Sequence, residues 1–349
     1  MLFRFATGAL RLLPAETAHN TTLALTALAS PLLPKAATND SRLKVKVLGL
    51  RFPNPIGLAA GFDKNALVPD AMAKFGFGFV ECGTVTPRPQ AGNKRPRLFR
   101  LSGDRAVINR MGFNNGGMEK AAENLSRRKG RGIVGINIGA NKDSEDRIAD
   151  YALCFDRLAG LADYVTANIS SPNTPGLRGL QNRDELEHLL GTLTAARQRK
   201  NLPIPILVKI APDLDDEALD DIAQVVLASG IEGMIISNTT IARPKLKSHH
   251  AGRQGGLSGR PLFAPSTEIL RKMRLRVGDR IVLVGAGGIA SGADAYAKIR
   301  AGASLVQLYS ALVFEGPGLI ARIKREMLEL LAIDGFASVT DAVGIDAKA

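Results

Sequence analysis

Eight short apolar runs, separated by stretches of helical period, span the chain between residues 56 and 309. They cover residues 56–60, 77–83, 133–138, 164–169, 206–210, 234–237, 281–285 and 305–309. Runs this short suit strands better than helices, and their near-continuous apolar character predicts strands covered on both faces. Helical patterns lie between and after them, among them 182–200, 213–229, 291–301 and 317–331. The second opens on Asp213, Asp215 and Asp216 and stops before Gly230, as the helix dipole and a left-handed cap favour. Alternating strands and helices predict a parallel α/β fold. Eight such units over about 250 residues predict a closed (β/α)8 barrel, a TIM barrel.

The first 40 residues form a separate unit, leaving residues 41–349 for the barrel domain. An apolar run over 1–13 is broken by Pro14, and a second, over 21–29, ends against Pro31 and Pro34. Neither approaches the roughly 20 apolar residues that cross a bilayer. Ala27-Leu28-Ala29 mimics a signal cleavage site, but Pro14, Glu16 and His19 would fall in an overlong leading region, so no secretory signal is expected. Two short amphipathic helices lying on a membrane are expected instead. Packing of the same helices on the main domain is the alternative.

In a barrel of this kind, chemistry stands at the C-terminal ends of strands. Reading those ends in order gives Lys64, Thr84, Asn137, Asn168, Lys209, Asn238, Gly288 and Tyr309-Ser310. A purely structural barrel has no reason to place two lysines and three asparagines there. After the fourth run, Asn168-Ile-Ser-Ser-Pro-Asn-Thr-Pro-Gly176 crowds amides and hydroxyls into a turn that Pro172, Pro175 and Gly176 keep from becoming helix. Gly285-Ala-Gly-Gly-Ile-Ala290 fits a dinucleotide fingerprint, but the next run ends without the acidic residue that fingerprint needs. The same glycines suit the phosphate site of a barrel, in the loops after strands 7 and 8, completed by the helix start at Ser291.

Composition narrows the classes. The net charge is +13, yet four Tyr and no Trp leave nothing for base stacking, so anionic ligands or an anionic membrane surface are favoured over nucleic acid. Two cysteines, Cys82 and Cys154, have no CxxC spacing, and the four histidines form no ligand set; no metal is expected. All four histidines read as lying outside the chemistry.

These residues resemble the dihydroorotate dehydrogenase family, specifically its membrane-associated, quinone-linked class. The resemblance rests on Gly57-Leu-Ala-Ala-Gly-Phe-Asp-Lys64, Gly83-Thr-Val-Thr-Pro-Arg-Pro-Gln90, Asn109-Arg-Met-Gly-Phe-Asn-Asn115 and Gly135-Ile-Asn-Ile-Gly-Ala-Asn141. It extends through the 168–176 loop, Val208-Lys-Ile-Ala-Pro-Asp-Leu214, Ser237-Asn-Thr-Thr240 and Gly255-Gly-Leu-Ser-Gly259. It implies FMN held by Ala60, Gly61, Lys64, Thr84, Asn137, Asn168, Lys209, Ser237, Gly259, Gly288, Tyr309 and Ser310. It implies dihydroorotate or orotate held by Lys64, Asn109, Arg110, Met111, Gly112, Phe113, Asn168, Asn173, Asn238 and Thr239, with Ser171 as catalytic base. The soluble class carries a cysteine at the base position; Ser237 departs from the threonine of bacterial members but keeps a hydroxyl. The resemblance also implies a membrane quinone as final acceptor, reached through the N-terminal segment, and a place in UMP synthesis. A peripheral position on the cytoplasmic side of a bacterial inner membrane is expected, since no long Arg/Ser-rich transit segment precedes the barrel.

Serine is a weak base at neutral pH, so Ser171 needs a relay, through Thr174, another hydroxyl or water. Lys209 suits the charge that develops on a reduced flavin; a Schiff-base lysine and a structural ion pair are the competing readings. Residues 243–254 read either as a mobile lid or as a plain solvated loop. Other FMN barrels acting on related rings, and a non-catalytic membrane-binding barrel, are the remaining alternatives.

Overall fold

The structure, a computed structural model, describes residues 8–34 and 39–347. Eight parallel strands close into a barrel in sequence order: β1 Ile56–Leu58, β2 Phe79–Val85, β3 Ile133–Ile138, β4 Tyr164–Asn168, β5 Ile206–Ile210, β6 Gly233–Ile236, β7 Val282–Ala286 and β8 Leu305–Leu308. Val306 pairs with Ile56 across the β8–β1 seam. All eight apolar runs are therefore barrel strands, and the glycine loop at 285–290 follows β7 of a barrel rather than opening a Rossmann fold. The predicted helices appear as Arg183–Lys200, Asp216–Ser229, Gly292–Arg300 and Leu319–Ile333. The second starts at Asp216 because Asp215 is its cap, accepting from the Ala218 amide at 2.9 Å. Asp213 is spent elsewhere, on Arg178 and the Thr240 hydroxyl.

The lower barrel is filled by rings over glycines. Phe79 lies against Gly57 and Tyr164 against Gly135, where an added Cβ would fall 2.2 and 2.0 Å from the rings. Phe52, from an antiparallel hairpin of Val45–Val47 and Leu50–Phe52, stacks edge-on against Phe79 and plugs this end.

At the opposite end sits an addition that strand periodicity did not announce. Leu98–Leu101, Ala106–Asn109 and Gly256–Gly259 pair antiparallel into a small sheet. Its own core is Phe99, Leu101, Ala106, Ile108 and Leu257. Residues 243–254 lie against this sheet. Arg243 donates to the carbonyls of Ile241, Ala242, Arg253 and Gly255, and Asp104 accepts from the amides of Lys247 and Ser248. The segment is thus tied down at several points, and none of its residues lines the main cavity.

The N-terminal run broken by Pro14 continues as one helix, Ala15–Ala29, that starts directly after the proline. The earlier run, 1–13, falls mostly outside the described residues. The helix docks through polar grips: Glu16 meets Arg97 at 2.7 Å and Arg95 at 3.2 Å, and Lys74 donates to the Ser30 carbonyl. Its outer side and flanks leave Leu12, Leu25, Leu28 and Leu32 exposed. The segment packs on the barrel, as the alternative expectation had it, and still presents leucines outward. No described helix is long and apolar enough to cross a membrane.

Gly135→Ala should lower stability by about 1–3 kcal/mol through overpacking against Tyr164. Gly191→Ala, in the middle of a helix with nothing near its added Cβ, should instead raise it by up to about 1 kcal/mol. Urea unfolding of both variants checks the pair.

Candidate active site

A cavity of about 1080 Å³ opens at the C-terminal end of the barrel and runs out beneath the terminal helix. Its floor is organised from below by a carboxylate that the sequence reading passed over. Glu81, fully buried in β2, accepts from Asn137 Nδ2 (2.8 Å), Tyr164 OH (3.1 Å), Thr166 Oγ1 (3.2 Å) and Gln307 Nε2 (2.8 Å). An ionised carboxylate only accepts, so it fixes which way the Asn137 amide faces. The order then propagates upward. Thr84 Oγ1 donates to Asn137 Oδ1 at 2.5 Å, and Asn168 Nδ2 donates to Thr84 Oγ1 at 2.8 Å. Asn238 Nδ2 reaches both Asn168 Oδ1 (3.2 Å) and Ser170 Oγ (3.0 Å). One chain of hydrogen bonds thus runs from the barrel centre to the loop carrying Ser171.

Lys209, a buried residue of β5, lines the cavity, and its amine has no hydrogen-bond partner among the described residues. Burial pulls its pKa down, and the charge of Glu81 pulls it back up. Lys64 stands in the loop after β1. Its neighbour Asp63 accepts from the amides of Leu67 (2.8 Å) and Val68 (2.7 Å), which shapes that loop. Burial, with repulsion from Arg97, holds Lys64 down to about 8. Ser171 Oγ accepts from the Asn173 amide at 3.3 Å, and Asn173 Nδ2 donates to Asn109 Oδ1 at 3.2 Å, tying the 168–176 loop to the small sheet. Thr174 is buried, but no hydrogen bond joins its hydroxyl to Ser171.

Ala60, Gly61, Lys64, Thr84, Asn168, Lys209, Ser237, Gly259, Gly288, Tyr309 and Ser310 all line the cavity. Asn137 does not; it lies one layer deeper, beneath Thr84. Asn109, Met111, Gly112, Phe113, Ser171, Asn173, Asn238 and Thr239 line the same space. The Arg110 side chain turns away, donating to the Pro96 carbonyl and lying over the Phe99 ring. At the far end of the loops, Ser258 and Ser310 share a 2.8 Å hydrogen bond. The amides of Gly287, Gly288 and Ser310 find no acceptor among the described residues.

The histidine reading needs correction. His19 is on the cavity wall, with Nδ1 3.1 Å from the Tyr309 hydroxyl and its ring edge-on to Phe62 at 5.5 Å. Burial, reinforced by Lys64, lowers its pKa to about 3, so it is neutral. Only the docking of the terminal helix brings it there. Glu81 and Gln307 carried a readable signal, each being a lone polar residue inside an apolar run.

A closed parallel barrel that gathers lysines, asparagines and a serine around one deep cavity defines a barrel enzyme for a small polar substrate. A family model described as "Dihydroorotate dehydrogenase" matches residues 42–331. A "Dihydroorotate dehydrogenase (quinone)" of Parvibaculum lavamentivorans is 57% identical over 348 residues, 99% of each chain. One of Rhodospirillum rubrum is 56% identical over 335 residues, 95% of this chain and 91% of the other. The crystal structure of DHODH from Eimeria tenella in complex with ferulenol superposes with a TM-score of 0.91 at 41% identity, covering 96% of each chain. The chain belongs to the dihydroorotate dehydrogenase family.

Proposed function

We propose that the protein oxidises dihydroorotate to orotate on a bound flavin and passes the electrons to a quinone, a step of pyrimidine synthesis. The observation that carries this reading, beside family membership, is one cavity with two kinds of wall. Lys64, Ser171 and the asparagines line its inner end, and Ala18, Thr22 and Leu25 of the terminal helix line its outer end. The flavin is FMN in our reading. The free amides of Gly287, Gly288 and Ser310 fit a phosphate, and the unpaired Lys209 fits a site for developing negative charge. Bound FMN supplies the hydride acceptor that the oxidation requires.

The remaining work falls to side chains of this chain. Lys64 pairs with the substrate carboxylate, and the amides of Asn109, Asn168, Asn173 and Asn238 match the alternating N–H and C=O groups of the ring. Met111, Gly112, Phe113 and Thr239 close the space around it. Ser171 removes the ring proton and hands it on, since a serine does not retain it. Next to Tyr309 and His19 the cavity turns apolar, and a quinone enters there from a membrane that the exposed leucines touch. In this reading the protein sits peripherally on the cytoplasmic face of a bacterial inner membrane; the exposed leucines and the basic net charge support contact with an anionic membrane surface.

Anaerobic addition of dihydroorotate to the purified protein should bleach an oxidised flavin band at once; a flavin that stays oxidised defeats the substrate assignment. Ser171→Ala should retain flavin and slow that bleaching by at least about 100-fold. Lys64 is charged below about pH 8 and neutral above it. Orotate affinity should therefore be flat below about pH 7 and fall as pH rises past about 8, with Lys64→Met removing the break. A chain beginning at Ser41 should bleach normally but lose turnover with a long-chain quinone in vesicles. Retained quinone turnover would remove the helix from the acceptor site.

A further inference from the structure

Lys298 is a buried cation that the proposed reaction does not use. It lies on the Gly292–Arg300 helix with none of its surface exposed. Its Nζ donates to Ser266 Oγ at 2.8 Å and Thr267 Oγ1 at 2.9 Å and sits 5.2 Å from the centre of the Phe263 ring. All three partners are neutral, and no described carboxylate is within ion-pair distance. Burying an ammonium with no ion-pair partner is unfavourable. An anion arriving from outside would offset it.

The surroundings of the amine lead to one wall of the cavity. Ser266 Oγ, which accepts from Lys298, also lies 3.3 Å from the Gly287 carbonyl. A Cβ added to Gly287 would fall 2.7 Å from Ser266 Oγ, and one on Gly288 would fall 2.5 Å from Phe263 Cα. The two glycines rest on the residues that hold the ammonium. Both line the cavity, their amides find no acceptor among the described residues, and Lys298 stands behind the residues they rest on. We propose that Lys298 is a counter-charge built behind the phosphate cradle, a positioning residue that makes the site select a flavin bearing a phosphate dianion. This rests on the FMN reading above.

Asp294, one turn earlier on the same helix, is the charged group that acts on Lys298, and its carboxylate is engaged by the Ala290 amide at 2.9 Å. The Phe263–Val277 helix offers it Ser266, Thr267 and Phe263, and β7 offers Gly285, which backs onto its Cδ. Burial lowers Lys298 to about 7. Above that pH it loses its proton while the cradle is empty, and arrival of a dianion returns one.

The test compares FMN with riboflavin, which lacks only the phosphate, on the full-length chain stripped of flavin. Calorimetry near pH 8 in two buffers of different ionisation enthalpy should show net proton uptake with FMN and none with riboflavin. Lys298→Met should weaken FMN by roughly tenfold or more while leaving riboflavin within about twofold. Equal weakening of both flavins would assign Lys298 to the scaffold and overturn the proposal. So would an unchanged FMN affinity, or the absence of proton uptake in the unaltered chain, a measurement that does not depend on the variant folding. If neither flavin binds the unaltered chain, the FMN reading itself fails.

Discussion

A single buried carboxylate holds the barrel and the cavity floor in register. Glu81 is fully shielded from bulk solvent, so its oxygens need partners inside the protein. Donors from β3, β4 and β8 do this, which ties four strands to one point. Because a carboxylate cannot donate, every amide above it inherits a direction, from Asn137 through Thr84 to Asn168 and Asn238. Those last two asparagines face the cavity. Their donor and acceptor pattern is therefore set by a residue that does not line the cavity.

The same carboxylate answers the charge of Lys209. Burial alone would favour the neutral amine, and Glu81 is the nearby negative charge that opposes it. Lys209 and Lys298 solve a similar problem in different ways. One faces open cavity with a carboxylate below it, while the other is wrapped by two hydroxyls and a ring.

The terminal helix carries a dual load. Glu16 is anchored by Arg97 and Arg95, which outweigh its burial and keep its carboxyl below the usual range. That grip lets the opposite side stay apolar and exposed. It also delivers His19 to Tyr309, closing part of the cavity with a residue from outside the barrel.

How much was legible varied with the range of the interaction. Strand positions such as 133–138 and 206–210 match the observed strands because burial on both faces leaves a local apolar signature. Lys64, Lys209 and Asn168 stood out as polar residues breaking that signature near strand ends. The small sheet of Leu98–Leu101, Ala106–Asn109 and Gly256–Gly259 was not legible, since its third strand comes about 150 residues after the second. Arg110 stayed in the predicted site because only folded geometry shows its guanidinium spent on Pro96. By itself the sequence determined the barrel, the order of its strands and the chemical cast of the cavity, because periodicity and strand-end polarity are properties of neighbouring residues. Tertiary structure alone decided that Asn137 lies below the cavity, that Glu81 orients it and that His19 reaches it, because those contacts join segments whose separation carries no local trace.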